Sequence, residues 1–215
     1  MSLNQMQDKY LRRYTDLPFL LELLQTNCLT LLSPHLWADT NDSYFLNVAM
    51  SNRNSSKSVQ ALCFTTATET HHHWKVFTSG PSGVCVDFHK HELVDVVKKY
   101  RVQAGPVSYP TLVELNAKKG TPQIAKSLPF LKRYAFRDEE EYRLVHFSKT
   151  DEAVFRVPIP RRVIAGVQLS PYLNDEVGQS VIKLLKSAKH FDGLNIKRSL
   201  LLDNKQWKKI IQNND

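Results

Sequence analysis

The stretch FRDEEEYRLVHF, residues 136–147, joins the densest acidic run of the chain to a sequence typical of a buried strand. Strand alternation puts Glu139, Glu141 and Arg143 on one face. Neighbouring carboxylates repel, so one of them should carry a raised pKa unless a cation such as Arg143 neutralises it. A Glu-x-Glu at the mouth of an apolar strand is well placed to act on a ligand. Asp138 and Glu140 are instead typical of a solvated turn.

The segments on either side of this stretch predict short strands mixed irregularly with helices. The predicted strands are residues 10–14, CLTLLS, VQALCFTT, GVCVDF, VQAGPVSY, EYRLVHF, AVFRVPI, VIAGVQL and IKRSLLL. The predicted helices are DLPFLLELLQTN, HKHELVDVVKKY, residues 121–134, residues 175–188 and NKQWKKIIQ. SPHLWADTNDSYF and SNRNSSKS are typical of turns and loops. The pattern predicts an α+β protein with a mixed, mainly antiparallel sheet and flanking helices, in one domain over 1–215.

Composition narrows the classes of protein that this chain can represent. Hydrophobic residues make up 42% of it, as in globular proteins, and no apolar run approaches the roughly 18 residues of a membrane span. Residues 1–14 are polar, unlike a secretory signal. Cys28, Cys63 and Cys85 are odd in number and lie in apolar segments, so we expect reduced thiols and a cytoplasmic location. With seven glycines, neither a P-loop nor a Rossmann fingerprint can be drawn.

The net charge of +8 indicates a polyanionic or phosphate-bearing partner. The basic residues are scattered rather than gathered in one arm, which also fits charge that serves solubility alone. A nucleic acid acceptor is therefore plausible, and no membrane partner is expected.

Histidine clusters invite a metal hypothesis that the spacing does not support. His71-His72-His73 cannot all point the same way, and His89 and His91 have no Cys or carboxylate at familiar zinc spacing. A polar loop followed by a helix start explains both groups, and no metal is expected.

Two further segments offer groups suited to a phosphate-bearing ligand. Arg12 and Arg13 alternate faces of the first strand, so only one of them can present its guanidinium fork to a phosphate. The strand ALCFTT ends in the hydroxyls of Thr65 and Thr66, which are also common at strand edges. Three aromatic rings, which could equally belong to the core, are candidates to stack on a ligand: Tyr14, Trp74 and Tyr109.

Taken in order, these features resemble an uncharacterised bacterial family, a domain of unknown function often met near mobile or phage-defence genes. The shared pattern is R-Y, N-D, C-F-T-T, H-W, G-V-C-V-D-F, V-S-Y and K-x-x-x-F-x-D-E-x-E-Y-R-L-V. The resemblance covers nearly the whole chain and is most specific over 132–145. Ser43 stands where that family has Pro, and Phe136 where Trp is commoner. The resemblance implies no settled chemistry.

The order Arg, Ser/Thr, Glu-x-Glu also resembles the ADP-ribosyltransferase superfamily, which has a split sheet and uses NAD as its substrate. That resemblance implies that Arg13 holds the phosphates and that Thr65 and Thr66 brace the nicotinamide pocket. It further implies that Glu141 is the catalytic carboxylate and that Glu139 orients the acceptor.

The resulting hypothesis is an NAD-dependent transferase that modifies a nucleic acid or protein acceptor, as a toxin or phage-defence effector. Its predicted cofactor-binding residues are completed by three more side chains: Tyr14, Trp74 and Arg143. Glycosidic cleavage develops positive charge on the ribose, which a fixed carboxylate stabilises.

Two other classes of function remain open on the sequence. Asp42, Glu139 and Glu141 could be the magnesium ligands of a nuclease whose basic surface holds the nucleic acid. The chain could also be a non-catalytic binding protein, such as the antitoxin half of a defence pair, with the acidic run as its docking patch.

Overall fold

In the computed structural model, residues 9–187 and 193–212 are described. The described strands are β1 (Tyr10–Asp16), β2 (Cys28–Leu32), β3 (Ser58–Thr65), β4 (Gly83–His89), β5 (Gln103–Pro106), β6 (Glu141–Ser148), β7 (Val154–Pro158), β8 (Ile164–Leu169) and β9 (Ile196–Arg198). The described α-helices are α1 (Leu17–Thr26), α2 (Thr40–Ser51), α3 (His71–Phe77), α4 (Lys90–Lys98), α5 (Leu112–Ala117), α6 (Pro122–Ser127), α7 (Asp175–Ser187) and α8 (Lys205–Gln212). Short 3₁₀ helices cover Pro34–Leu36, Gly80–Ser82, Leu128–Phe130, Tyr134–Glu139 and Arg161–Val163.

These strands form one mixed sheet, in the order β5-β6-β3-β1-β4-β8-β9, with β2 and β7 branching from β3. Every pair is antiparallel except β8 and β9. The predicted α+β class with a mainly antiparallel sheet is therefore confirmed. Residues 1–8 of the polar N-terminal segment lie outside the described residues. The same holds for the last residue of the predicted helix 175–188.

The sheet forks beside β3. Strand β1 pairs with β4 along its whole length but meets β3 at a single position, Arg12 opposite Thr65. Beyond that point β3 pairs with β2 instead of β1, again at one position, Leu32 opposite Ala61. A strand that loses its neighbour in this way leaves a gap in the sheet, and the cavities described below lie at this gap.

The largest core fills one face of the sheet. The alternate residues of β6 that point to this face include Tyr142 and Leu144, which pack with Phe64 and Phe88 and with apolar side chains of α1 and α4. The opposite face carries smaller apolar clusters and the polar side chains of the candidate site. One such cluster joins Leu46 of α2 to Ala61 and Val145. The largest core and the polar side chains of the candidate site thus lie on opposite faces of the sheet.

Three segments differ from their sequence-based predictions. The segment predicted as turns around 34–45 contains the start of α2, because the Asp39 carboxylate accepts hydrogen bonds from the backbone N–H groups of Asn41 and Asp42 and caps the helix. The predicted loop at 71–73 is the start of α3, which Thr70 caps. The predicted helix over 121–134 is broken into α6 and a 3₁₀ turn around Pro129, which lacks a backbone N–H donor.

Candidate functional site

The candidate site is a cavity of about 490 Å³ on the polar face of the sheet, beside the fork. Its polar lining includes Arg12, Thr65, Glu139 and Glu141, and Lys132 reaches it from the segment before β6. Aromatic rings complete the walls: Tyr14, Trp37, Phe77 and Phe136. Such a volume, with mixed apolar and polar walls, is in the range of small-molecule sites.

Three of the polar residues stand side by side on adjacent strands. Arg12 of β1 is in register with Thr65 of β3, which is in turn in register with Glu141 of β6. Residues in register on antiparallel strands point to the same face. The topology therefore gathers an arginine, a hydroxyl and a carboxylate from positions more than fifty residues apart in the chain.

Glu141 is held in place by charge and by the backbone. Its Oε1 accepts a hydrogen bond of 2.6 Å from Arg143 Nε, and its Oε2 lies 3.3 Å from Lys132 Nζ. Its backbone N–H donates to the Tyr109 hydroxyl at 2.7 Å. Burial acts to raise the pKa of Glu141, but the charges of Arg143 and Lys132 outweigh it, so this pKa lies below the ordinary value. Glu141 is thus a fixed carboxylate.

Glu139 has the opposite shift. Burial raises its pKa above the ordinary glutamate value, although the Lys132 ammonium, 2.5 Å from its Oε2, opposes this. The pKa of Lys132 is itself raised, because the surrounding carboxylates outweigh its burial. The expectation that one glutamate of the pair has a raised pKa is met at Glu139, and Lys132 joins Arg143 as the neutralising cation.

Strand alternation does not explain how the two glutamates meet. Glu139 belongs to the 3₁₀ helix, and β6 begins only at Glu141. Glu140 between them has a φ of 43°, in the left-handed region, so the chain turns there. The Thr65 hydroxyl holds this turn by donating to the Glu139 carbonyl oxygen at 2.7 Å. Asp138 and Glu140 are exposed, as expected of a solvated turn.

Asp42 closes the cluster from α2. Its two carboxylate oxygens each accept a 2.7 Å hydrogen bond from the Nη1 and Nη2 atoms of Arg143, which is fully buried. This bidentate pair holds Arg143 against Glu141. Burial raises the pKa of Asp42 despite Arg143. With all groups ionised, the cluster of Asp42, Glu139 and Glu141 against Lys132 and Arg143 has a formal charge of −3 + 2 = −1.

The structure separates the two arginines of β1. Arg12 shares a face with Glu141; its Nη1 donates to the Ala67 carbonyl oxygen at 2.7 Å, and its Nε lies 3.4 Å from Asp87. Arg13 points to the opposite face of the sheet, where its Nη1 makes one long hydrogen bond of 3.5 Å to the Cys63 carbonyl oxygen. Both arginines line the cavity, but Arg12 is the one on the same face as Glu141, which makes Arg12 the better candidate for a phosphate ligand.

Three of the predicted cofactor-binding residues do not line the cavity: Thr66, Trp74 and Arg143. Trp74 is fully buried, with its Nε1 donating to Glu69 at 2.9 Å, so its ring has no exposed face for a ligand. Arg143 is fully buried behind the carboxylates, and Thr66 donates to the Glu140 carbonyl oxygen at 3.2 Å. Tyr14 does line the cavity, packed on His73 and Trp74.

Sequence reasoning missed the aromatic rings of Trp37 and Phe77 and two polar residues of the site. Lys132 belongs to the most specific part of the quoted pattern, the K-x-x-x-F block, but the spacing alone gives no reason to place its ammonium between two glutamates. His73 is buried, with its Nε2 3.3 Å from the Glu139 carbonyl oxygen and its Nδ1 2.5 Å from the Thr70 hydroxyl. Burial lowers the pKa of His73, which favours the neutral ring.

The three carboxylates of the nuclease hypothesis do converge, but around cations of the protein itself. Lys132 and Arg143 occupy the space between Asp42, Glu139 and Glu141. Within residues 9–187 and 193–212, no group of three His, Cys, Asp or Glu side chains is arranged to hold a metal ion.

Comparisons with known proteins add no identification. No protein-family model matches the sequence, and a search of the curated proteins finds no match. Among the described helices, none has the length and apolar character needed to cross a lipid bilayer.

Replacing Tyr109 by phenylalanine is expected to cost about 1–3 kcal/mol of folding free energy, because the buried N–H of Glu141 loses its acceptor. Urea unfolding measures this cost. Tyr134→Phe removes a hydroxyl from a half-exposed ring and should change stability little. Equal unfolding midpoints for the two variants would contradict the role given to the Tyr109 hydroxyl.

Proposed function

We propose that this protein is an enzyme that consumes NAD by breaking the bond between nicotinamide and ribose. More particularly, it is an ADP-ribosyltransferase-like enzyme that modifies a nucleic acid or protein acceptor, as a toxin or phage-defence effector. The observation that carries the proposal is the row of Arg12, Thr65 and Glu141 on three adjacent strands, facing one cavity.

The contacts of each residue suit one part of this chemistry. The guanidinium of Arg12 has five N–H donors, and only some of them are used by the contacts with the Ala67 carbonyl oxygen and Asp87. The remaining donors can bind a phosphate of the dinucleotide. Thr65 fixes the turn that carries Glu139. The rings of Trp37 and Phe136 give the cavity walls on which a nicotinamide or adenine ring can pack. The cavity volume suits a ligand of this kind.

The reaction has a simple balance of bonds and charge. The ribose C1–N bond breaks and its electron pair leaves with nicotinamide, so positive charge develops on the ribose. The fixed Glu141 carboxylate stabilises that charge more in the transition state than in the ground state. The acceptor then forms the new bond to C1 and loses a proton, for which ionised Glu139 is a suitable base.

Lys132 sets the ionisation of both glutamates in this scheme. Its charge lowers the pKa of Glu139 and of Glu141. If Lys132 is replaced by methionine, both values should rise, and the acidic limb of the pH–rate profile should move upward by about one unit or more. The profile of nicotinamide release against pH measures this. A limb that stays in place would show that neither carboxylate governs the rate.

The first test of the proposal is nicotinamide release from labelled NAD, with and without bulk RNA, DNA or protein. We expect release by the wild type, and the acceptor that stimulates it most identifies the substrate class.

Arg12→Lys should weaken NAD binding about tenfold or more, because a single ammonium cannot replace the guanidinium fork. Arg162→Lys, on an exposed side chain, is the matched control.

Two other results would contradict the proposal. One is the absence of release in every condition, together with a melting temperature that NAD does not change. The other is magnesium-dependent cleavage of nucleic acid without NAD turnover, which would favour the nuclease hypothesis. Binding of a partner protein without any turnover of NAD or nucleic acid would instead favour the binding-protein hypothesis.

A further inference from the structure

A second cavity lies on the other face of the sheet, beneath the fork. It measures about 230 Å³, and Arg13 is the residue of β1 that carries charge into it. Most of its other lining side chains are apolar, and they come from α1, β2, β3, β4 and β7: Leu20, Leu23, Leu29, Leu62, Val86 and Val154. Arg13, Leu32 and Leu62 also line the first cavity, so the two spaces adjoin at the fork.

Arg13 is poorly paired for a guanidinium in such surroundings. Its one hydrogen bond to the described residues is the 3.5 Å contact with the Cys63 carbonyl oxygen, and it has no ion pair within 4.0 Å among them. The Glu22 carboxylate acts on Arg13 electrostatically. That carboxylate, however, accepts from the Thr30 hydroxyl at 2.9 Å and lies 3.5 Å from Arg156.

The charge balance of the cavity therefore favours an anion. Arg156 is 59% exposed and pairs with Glu22, so the half-buried Arg13 is the charge of this mainly apolar cavity that lacks an ion pair among the described residues. A charge partly removed from water is costly unless it is paired, and a guanidinium pairs best with a carboxylate or phosphate. We propose that this cavity binds a small anionic amphiphile, with its carboxylate or phosphate head on Arg13 and a short apolar chain among the leucines and valines. This cavity adjoins the one assigned to NAD but is lined by a different set of residues apart from three shared side chains.

The test is calorimetric titration of the full chain with octanoate, octyl phosphate and octanol, which share one chain and differ in the head. We expect octanoate or octyl phosphate to bind, the tighter of the two identifying the head group, and octanol to bind at least about tenfold more weakly. Arg13→Met should weaken binding of the anion about tenfold or more for the same reason. Arg162→Met removes the same charge from an exposed position and should not change the affinity.

A second variant locates the ligand without touching Arg13. Val154 lines the second cavity only and is partly exposed, so Val154→Phe should be tolerated while it fills the space and abolishes binding. No measurable binding of either anion, equal binding of octanol, or undiminished binding by Arg13→Met or Val154→Phe would each overturn the proposal. None of these outcomes bears on nicotinamide release, so the proposed function is tested separately.

Discussion

Replacing Glu141 by glutamine is expected to reduce nicotinamide release by about 10²–10³-fold, the loss typical of removing one preorganised charge-stabilising group. Glutamine keeps the size of the side chain but not the negative charge that faces the developing cation. The effect should fall on kcat rather than on NAD binding, since the carboxylate acts mainly in the transition state. Single-turnover release from labelled NAD, beside equilibrium binding, measures the two separately.

The matched control for this experiment lies three residues away. Asp138→Asn removes one carboxylate from the same acidic run, but that side chain is 73% exposed and its contact is a surface pair with Arg137. Its rate should equal that of the wild type. Equal losses in the two variants would mean that the run acts through its summed charge, and an unchanged rate in Glu141→Gln would remove Glu141 from the catalytic role.

Replacing Arg143 by methionine is expected to cost about 3–5 kcal/mol of folding free energy, because it leaves Asp42 and Glu141 buried without their main cation. Methionine can fill much of the space of the arginine stem but cannot donate to either carboxylate. Urea unfolding at neutral pH measures the cost. Arg162→Met removes an exposed arginine paired with Glu92 and should cost less than about 1 kcal/mol.

The dependence of this loss on pH provides a sharper check. In the wild type the lowered pKa of Glu141 means that its ionised form stabilises the fold above the ordinary glutamate pKa, and this contribution is lost as pH falls through the folded value. In Arg143→Met the burial of Glu141 is less opposed, so its pKa should rise. The variant should then recover part of its stability on acidification. A deficit that is the same at every pH would indicate lost packing rather than unpaired charge.

The acidic run at residues 138–141 combines two kinds of residue. Asp138 and Glu140 are exposed, whereas Glu139 and Glu141 are buried around Lys132. A basic chain can hold this negative group because Arg143 and Lys132 are within contact distance of it. With all of its groups ionised the cluster has a formal charge of −1, and in the proposed reaction this charge faces the ribose as it becomes positive.

Local pattern was enough to predict most of the strands and the α+β class, and it singled out the two glutamates that line the candidate site. Alternating apolar residues in 142–147 and turn-forming residues between segments act within a few positions, so they can be seen in one sequence. Local pattern failed where a cap or a single backbone turn decided the outcome. Asp39 started a helix within apparent turn sequence, and the left-handed Glu140 replaced the expected strand alternation.

Long-range contacts select which arginine faces the glutamates and which cations neutralise them. Arg12 and Arg13 are equivalent by sequence, and the register of β1 on β3 chooses Arg12. Asp42 lies 101 residues from its partner Arg143, and that pair depends on how α2 packs over β6. Most of the strands and the acidic motif could be predicted from residues close together in the chain, because these features depend on neighbours along the chain. The long-range strand register and helix packing determined the site, because its charges come from segments that meet only in the folded protein.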